Sequence, residues 1–312
     1  MNIYFINWQA DYEMKMIKYL KQYFPVFDIC VPHRYLWINK KVKKIGIDTE
    51  WLAKFFIKNH LDKLEANDVV IFNDSLLNKG INQEIINNLR CKKVLLLRNS
   101  VDDLFIKKHY KSFDLIYNFE LNGFCDNKVR YLDQFFPIGF KDAHDLFEKS
   151  KYHEAPVCFF LGQDKGRIKS ISSLAEQLIK YNCSIDFKVV KDRNSTVESI
   201  FYTGGILSYE DNIKHSLAAD ILIDITKDNQ SGWTLRILEA LYFNKKIITN
   251  NVSVIDADIY SKERFFVLGY DRWDEFDVFI QAVNEPVKED CLYKYSPDFM
   301  IEKISRDLQE MT

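Results

Sequence analysis

The chain has 312 residues, with a formal net charge of −2 at pH 7 and a sequence pI of about 6.3. Hydrophobic residues make up 47% and charged residues 28% of it, a balance typical of soluble globular proteins, which excludes a largely disordered chain. A chain of this length exceeds what one hydrophobic core usually fills, and the mildly acidic pI argues against nucleic acid as a partner.

Short apolar runs alternate with longer stretches of helical periodicity. In the first half we predict strands at 3–6, 68–72, 94–97 and 115–118, and helices at 14–23, 81–89 and 101–110. This alternation predicts parallel sheets of the α/β class. Residues 139–155 interrupt the pattern, and a buried strand starts again at 156–161. We therefore predict two domains, 1–150 and 151–312, the second with further strands at 185–190, 221–225, 246–249 and 265–268.

Acidic residues follow two strands of the first domain. Asp11 and Glu13 come after the first strand, and Asp74 comes after the strand at 68–72. A carboxylate at the carboxyl end of a strand can act as a general base. The alternative is that Asp11 and Glu13 only cap the next helix and interact with its dipole.

A basic and aromatic segment occupies residues 33–44, His-Arg-Tyr-Leu-Trp-Ile-Asn-Lys-Lys-Val-Lys-Lys. It lies in the basic half of the chain, because residues 1–150 hold 23 Lys and Arg against 19 Asp and Glu. Cations beside aromatic rings suit anionic lipid headgroups or a phosphorylated lipid-linked glycan, so we expect peripheral contact with a membrane here. The alternative is a solvated basic face without a partner.

The second domain opens with a strand that runs into a glycine-containing turn. Gly162 and Arg167 lie in this turn, just before a helical stretch that begins at Ile168. A backbone turn and a cation at a helix start can bind phosphate. The alternative is that the turn needs Gly162 for steric reasons and that Arg167 is simply exposed to solvent. Tyr209, near the start of a later helix, is a weaker candidate for contact with a base or sugar, and a capping role for its segment is the alternative.

The most informative segment is Asp220–Thr249, which predicts strand, polar loop, helix and strand without a break. An unpaired helix start at the carboxyl end of a parallel strand favours a bound anion such as a diphosphate. The side chains and backbone that suit this role belong to Gln230, Ser231, Gly232, Thr234, Arg236 and Glu239. Arg236 offers a fork for phosphate, and Glu239 can accept two hydrogen bonds from vicinal hydroxyls. The alternative is an exposed Arg236–Glu239 ion pair, with Ser231 as a helix cap.

The run Gln230–Leu241, followed by Lys-Lys-Ile-Ile-Thr-Asn-Asn at 245–251, resembles the donor-nucleotide segment of bacterial GT-B glycosyltransferases that build lipopolysaccharide core, O-antigen or capsule. The resemblance implies that Glu239 holds the nucleotide ribose and that Gly232 and Thr234 face the donor diphosphate. Many retaining members carry a second glutamate eight positions before the first, where this chain has Ser231. The stereochemical outcome of the reaction therefore stays open.

The resemblance also implies two Rossmann-like domains whose parallel sheets face a central cleft, an acceptor domain followed by a donor domain. The amphipathic terminal helix, at 296–311, would cross back to the first domain. Such enzymes often place the acceptor-activating base after the first strand, which makes Asp11 the first choice and Glu13 the second, with Asp74 as a competitor. Gly162 and Arg167 would join the donor site.

No cofactor or metal is expected. Asp256-Ala-Asp258 matches a short metal-binding pattern of another glycosyltransferase fold, but two acids on a loop are too few ligands for a hard cation. The six cysteines are scattered, without Cys-x-x-Cys, so we expect free thiols. Without a leader or a membrane-length apolar stretch, we expect the protein in the cytoplasm.

The sequence thus predicts a metal-independent glycosyltransferase that moves a sugar from a nucleotide-sugar donor to a hydroxyl of a surface glycan or lipid-linked glycan. Two alternatives remain. A nucleotide-sugar epimerase or polyol-phosphate transferase would use the same nucleotide site. A non-catalytic glycan-binding partner would bind glycan without any nucleotide.

Overall fold

The computed structural model describes residues 1–78, 83–120, 124–146, 155–193, 195–205, 207–226 and 231–311. Within these ranges the chain forms two compact units. The first comprises Met1–Asp133 together with Ile301–Thr312, and the second comprises Gln134–Met300. In the part of the chain described, no helix is long and apolar enough to cross a membrane.

The first unit is built on a six-stranded parallel sheet in the order β2-β1-β3-β4-β5-β6. Its strands are β1 Ile3–Ile6, β2 Val26–Ile29, β3 Val69–Asn73, β4 Lys92–Leu96, β5 Leu115–Asn118 and β6 Val129–Tyr131. Its helices are α1 Asp11–Tyr23, α2 His33–Lys44, α3 Glu50–His60, α4 Asp74–Asn78, α5 Gln83–Asn88 and α6 Asp103–His109. Every residue of β3 is buried, as expected for a central strand covered on both faces.

The second unit contains a five-stranded parallel sheet in the order β11-β10-β9-β7-β8. Its strands are β7 Val157–Gln163, β8 Ser184–Val190, β9 Ile221–Asp224, β10 Lys246–Thr249 and β11 Phe265–Val267. The helices that come after Gln134 in the chain are α7 Phe140–Asp145, α8 Ile168–Lys180, α9 Tyr209–Ala218, α10 Leu235–Tyr242, α11 Phe276–Gln281, α12 Glu289–Tyr293 and α13 Pro297–Glu310. The apolar faces of α8 and α10 pack into the cores of this unit.

The division between the units differs from the boundary predicted near residue 150. It falls between Asp133 and Gln134, because Phe136 packs in the second unit. The ring of Phe136 stacks on Tyr242 at 4.5 Å between centroids, and its backbone N–H donates to the carbonyl of Tyr295 at 2.7 Å.

The division also falls within α13, whose residues from Ile301 onward belong to the first unit. There the buried Tyr117 of β5 donates its hydroxyl to Oδ2 of Asp307 at 2.7 Å. Arg130 of β6 forms an ion pair with the same carboxylate at 3.0 Å. One buried acid thus attaches the terminal helix to two strands of the first sheet.

Candidate functional site

Asp224, the last residue of β9, is a buried carboxylate at the carboxyl edge of the second sheet. Its Oδ1 accepts a hydrogen bond from the hydroxyl of Thr234 at 2.8 Å, and its Oδ2 accepts one from Thr249 at 2.9 Å. Burial raises the pKa of Asp224, although both hydrogen bonds act in the opposite direction. The acid therefore connects the end of β9 to the end of β10 and to the start of α10.

The start of α10 is capped by Thr234, whose hydroxyl accepts from the backbone N–H of Arg236 at 3.2 Å. The donor of that hydroxyl is already committed to Asp224. The residues just before it are also anchored, because the carbonyl of Ser231 accepts from Asn251 at 3.2 Å, and that of Gly232 accepts from the same amide at 3.4 Å. Gln230 lies outside the described residues.

Glu239 is buried, with 1% of its surface exposed, and both of its carboxylate oxygens are engaged. Oε1 accepts from Nδ2 of Asn212 at 2.8 Å, and Oε2 accepts from the hydroxyl of Ser216 at 2.9 Å and from Nη1 of Arg236. The ion pair proposed as the alternative to a ligand site is therefore present. It is buried rather than exposed, however, since the side chains of Arg236 and Glu239 are only 10% and 2% exposed.

Arg236 completes this network from the other side. Its Nη1 donates to the hydroxyl of Ser216 at 2.7 Å, and its Nη2 donates to Oδ1 of Asn212 at 3.0 Å. The guanidinium also lies over the ring of Phe159 at 4.8 Å. Two residues of α9 and two of α10 thus bond to one another, and because Glu239 is buried, a ligand hydroxyl reaches its carboxylate only if this packing opens.

Gly162 and Arg167, predicted to approach a phosphate, lie at the end of β7 and just before α8. A Cβ on Gly162 would meet the ring of Phe160 at 3.1 Å, so the absence of a side chain has a steric reason. Arg167 donates through its guanidinium to the carbonyls of Ile225, Gln163 and Asp164. Burial lowers the pKa of Arg167, and its side chain connects the ends of β7 and β9.

Asp164 is a buried acid at this edge that the sequence did not single out. Its Oδ1 accepts from the backbone N–H of Ile168 at 2.9 Å, which caps α8. Its Oδ2 accepts from the hydroxyls of Ser195 at 2.6 Å and Tyr202 at 2.7 Å. Burial by itself would raise the pKa of Asp164, but these hydrogen bonds outweigh it and lower the pKa. The sequence feature that could have identified Asp164 is its position four residues before the helical stretch that begins at Ile168.

Tyr209 is the first residue of α9, and its ring packs against the core of the second unit. Ser208 caps this helix by accepting from the backbone N–H of Asp211 at 3.1 Å. The capping role for this segment, considered as the alternative, is therefore observed.

In the first unit, Glu13 is buried at the start of α1. Its Oε2 accepts from the backbone N–H of Ala10 at 3.0 Å, and its Oε1 accepts from Nδ2 of Asn73 at 3.3 Å. Burial raises the pKa of Glu13, with Arg98 lowering it by a smaller amount. A carboxylate with a raised pKa beside two strand ends has the properties of a general base.

Asp74 is also buried and lies next to Asn73 in the chain. It accepts from the backbone N–H of Arg98 at 2.6 Å and from the side chain of Asn99 at 2.7 Å. Asp11, in contrast, is exposed and forms an ion pair with Lys15 at 3.6 Å. The structure thus brings Glu13 and Asp74 to the same edge of the first sheet and leaves Asp11 on the surface.

Within the described ranges, no group of three or more His, Cys, Asp or Glu side chains is arranged to hold a metal ion. Asp258, one of the two acids in the short metal-binding pattern, is solvent-exposed and lies 3.8 Å from Nζ of Lys294.

Several solved structures resemble this fold. An α,α-trehalose-phosphate synthase (UDP-forming) from Burkholderia xenovorans, in complex with glucose-6-phosphate, matches with a TM-score of 0.58 and 12% identity over 99% of this chain and 100% of that one. A structure described as trehalose-6-phosphate from E. coli bound with UDP-2-fluoro glucose matches with a TM-score of 0.52 and 9% identity, over 98% of this chain and 96% of that one. UDP-GlcNAc 2-epimerase from Methanocaldococcus jannaschii matches with a TM-score of 0.51 and 9% identity, over 99% of this chain and 100% of that one. No protein-family model and no curated protein matches the sequence.

Identities this low establish the fold alone. The protein has an α/β fold of two Rossmann-like units with parallel sheets, of the GT-B type shared with these structures. The predicted fold class is confirmed.

Proposed function

We propose that the protein is a glycosyltransferase that transfers a sugar from a nucleotide-sugar donor to a hydroxyl of a glycan acceptor. The observation that carries this proposal is the start of α10 at the carboxyl end of β9, anchored by Asp224 and Thr234 within a GT-B-type fold. Two structures of similar fold are described as UDP-forming or as bound with UDP-2-fluoro glucose. A nucleotide diphosphate is therefore the ligand to test first at this edge.

In this proposal the backbone around Gly232 and the first N–H groups of α10 bind the donor diphosphate. The positive end of the helix dipole stabilises the charge that develops on the leaving phosphate, without a metal ion. Arg236 and Arg167 take no direct part, because their guanidinium groups are engaged with Glu239 and with backbone carbonyls. This differs from the sequence expectation that these two cations contact phosphate.

Glu239 keeps its proposed role toward the ribose only if the diol reaches this buried carboxylate past Asn212 and Ser216. Both of these residues come from α9, whose first turn also carries Tyr209. Donor binding would then require a rearrangement between α9 and α10. The contact between Arg236 and the carboxylate stays in place.

We propose Glu13 as the base that takes the proton from the acceptor hydroxyl. Glu13 is preferred over Asp74 because burial raises the pKa of its carboxyl, which suits a group that takes a proton. It is preferred over Asp11 because Asp11 is exposed and paired with Lys15.

We also propose that the acceptor is a surface glycan under assembly in the cytoplasm. This proposal rests on the resemblance of residues 230–251 to enzymes of surface-glycan assembly.

The test is calorimetric titration of wild-type protein with UDP, GDP, CDP and dTDP, repeated in EDTA. One nucleotide should bind with unchanged affinity in EDTA, and Glu239→Gln should weaken it if the ribose contacts this carboxylate. The matched control is Glu210→Gln, which removes an exposed acid of α9 that pairs with Lys214 at 3.3 Å. Absence of binding by all four nucleotides would contradict the proposal.

An epimerase remains the second candidate, because the fold also matches UDP-GlcNAc 2-epimerase. Both activities predict nucleotide binding, so the products must separate them. Incubation with the nucleotide sugar that binds, without any acceptor, should leave its sugar unchanged for a transferase. Conversion to an isomeric nucleotide sugar would establish the epimerase instead.

A further inference from the structure

Helices α2 and α3 expose large apolar side chains to solvent. Trp37 is 60% exposed, Trp51 58% and Phe55 65%, and the loop between the helices exposes Ile45 and Ile47. Among the described residues, no other stretch of similar length exposes as many large apolar side chains. Exposed apolar residues in such a concentration mark an interaction surface rather than ordinary surface variation.

The packing of the two helices explains why these side chains point outward. The ring of Tyr35 in α2 lies 5.2 Å from that of Phe56 in α3, and both side chains are buried. Residues spaced at the helical period from these anchors fill the core, including Leu52 and Ala53. Trp51 and Phe55, four residues apart, therefore share the opposite face of α3, outside the core.

The same surface is strongly basic, in a chain whose net charge is −2. Residues 33–60 contain Arg34 and six lysines against only Asp48 and Glu50. Within the described part of the chain, no ion pair forms at Lys40, Lys41, Lys44 or Lys58. Lys41 instead lies over the ring of Trp37, with 4.1 Å between Nζ and the ring centroid.

We propose that this surface, which we call the α2–α3 face and define by Trp37, Lys40, Lys41, Lys44, Trp51, Phe55 and Lys58, docks on an anionic lipid bilayer. Tryptophan and phenylalanine insert at the level of the headgroups, and the lysines contact lipid phosphates. Charge complementarity favours a lipid surface over an apolar protein partner, because protein interfaces are depleted in lysine at their centres. The surface includes α3, which the sequence expectation for residues 33–44 did not.

The inference does not depend on sugar transfer, since it rests only on exposed side chains and charge. The test is co-sedimentation of the full chain with vesicles of phosphatidylglycerol and phosphatidylcholine, compared with vesicles of phosphatidylcholine alone. We expect binding to the anionic vesicles only, weakened as salt is raised, because counter-ions screen the lysines. Tryptophan emission should shift to the blue, since Trp37 and Trp51 enter the interface while Trp8 and Trp233 are already buried.

Two variants locate the surface. Lys40→Gln with Lys44→Gln should lower the partition coefficient roughly twenty-five-fold, at about fivefold for each cation near an anionic surface. Trp51→Ala with Phe55→Ala should lower it more than about tenfold, through lost apolar insertion. The matched controls are Lys169→Gln with Lys262→Gln, and Leu104→Ala with Ile200→Ala, which change exposed residues elsewhere.

Three results would overturn the inference. The first is an absence of vesicle binding by wild-type protein. The second is an equal loss of binding in the control variants and in the variants of the α2–α3 face. The third is a concentration-dependent dimer, measured by light scattering, that Trp51→Ala with Phe55→Ala abolishes while no vesicles are bound, since a second copy of the chain would then be the occupant.

Discussion

The hydroxyl of Thr234 donates to Oδ1 of the buried Asp224 at 2.8 Å and accepts from the backbone N–H of Arg236 at 3.2 Å. One side chain thus fixes the start of α10 relative to the end of β9. Because Thr249 donates to the other oxygen of Asp224, the end of β10 is held by the same acid. The loop before α10 therefore has a fixed endpoint, which is what a pre-organised anion site needs.

The first prediction concerns this endpoint. Thr234→Val keeps the shape of the side chain but removes both hydrogen bonds and leaves one oxygen of a buried acid without its donor. We expect a loss of about 2–4 kcal/mol in the free energy of unfolding, the sum of a lost cap and an unsatisfied buried acceptor. Urea unfolding followed by circular dichroism measures it. Thr234→Ser retains the hydroxyl and should lose less than about 1 kcal/mol.

The second prediction concerns the buried network around Glu239. Glu239→Ala leaves the guanidinium of Arg236 buried without its carboxylate, so we expect a loss of about 3–5 kcal/mol in unfolding free energy. Glu210→Ala removes an exposed pair with Lys214 on the neighbouring helix and should cost less than about 1 kcal/mol. Equal effects of the two substitutions, measured by urea unfolding, would show that the buried network contributes no more than a surface pair.

This network also shows where reasoning from the sequence stops. The spacing of Arg236 and Glu239 indicated their pairing, as an exposed alternative to a ligand site, because residues three apart on a helix are neighbours. Nothing in that spacing identified Asn212 and Ser216, which come from α9. Local periodicity predicts elements and pairs within one element, whereas partners across elements depend on how helices pack.

The fold itself was predictable for the same reason. Strands such as β3 and β9 are short, apolar and followed by helical periods, and each was expected close to where it occurs. The unit boundary was less predictable, since Phe136 joins the second core through its contact with Tyr242, a residue distant in sequence. Asp164 was missed because its partners Ser195 and Tyr202 follow only after the next strand.

The third prediction uses Asp307, which attaches α13 to the first sheet. Burial alone would raise its pKa, but hydrogen bonds from Lys303 and Tyr117 and the charge of Arg130 outweigh this and lower the pKa below the ordinary 3.8. The stability that this carboxylate contributes is therefore complete above pH 3.8 and is lost as the pH falls through the lower folded-state pKa. In Asp307→Asn, the free energy of unfolding should therefore fall less steeply as the pH is lowered below 3.8. Glu310→Gln changes an exposed neighbour and should leave this pH dependence unchanged.

The fourth prediction uses His109, a buried residue whose two ring nitrogens have no hydrogen-bond partner among the described residues. Burial lowers its pKa below the ordinary 6.5, so the unfolded chain binds a proton more readily than the folded one. Stability is complete above pH 6.5 and declines as the pH falls from 6.5 toward the folded-state pKa. His109→Leu should remove this decline between neutral and mildly acidic pH, as measured by thermal unfolding, and His33→Leu, at an exposed histidine, should not.

The last prediction tests the proposed base. Since burial raises the pKa of Glu13 above the ordinary 4.5, the fraction of active carboxylate, and with it kcat/KM for sugar transfer, should fall as the pH drops through this raised value. Glu13→Gln keeps the cap on the backbone N–H of Ala10 but cannot take a proton, so we expect a loss of about 10²–10⁴ in kcat with nucleotide binding retained. Asp11→Asn is the control, because Asp11 is exposed and outside this cluster. If Asp11→Asn lost activity and Glu13→Gln did not, the base would be Asp11, and the raised pKa of Glu13 would reflect burial alone.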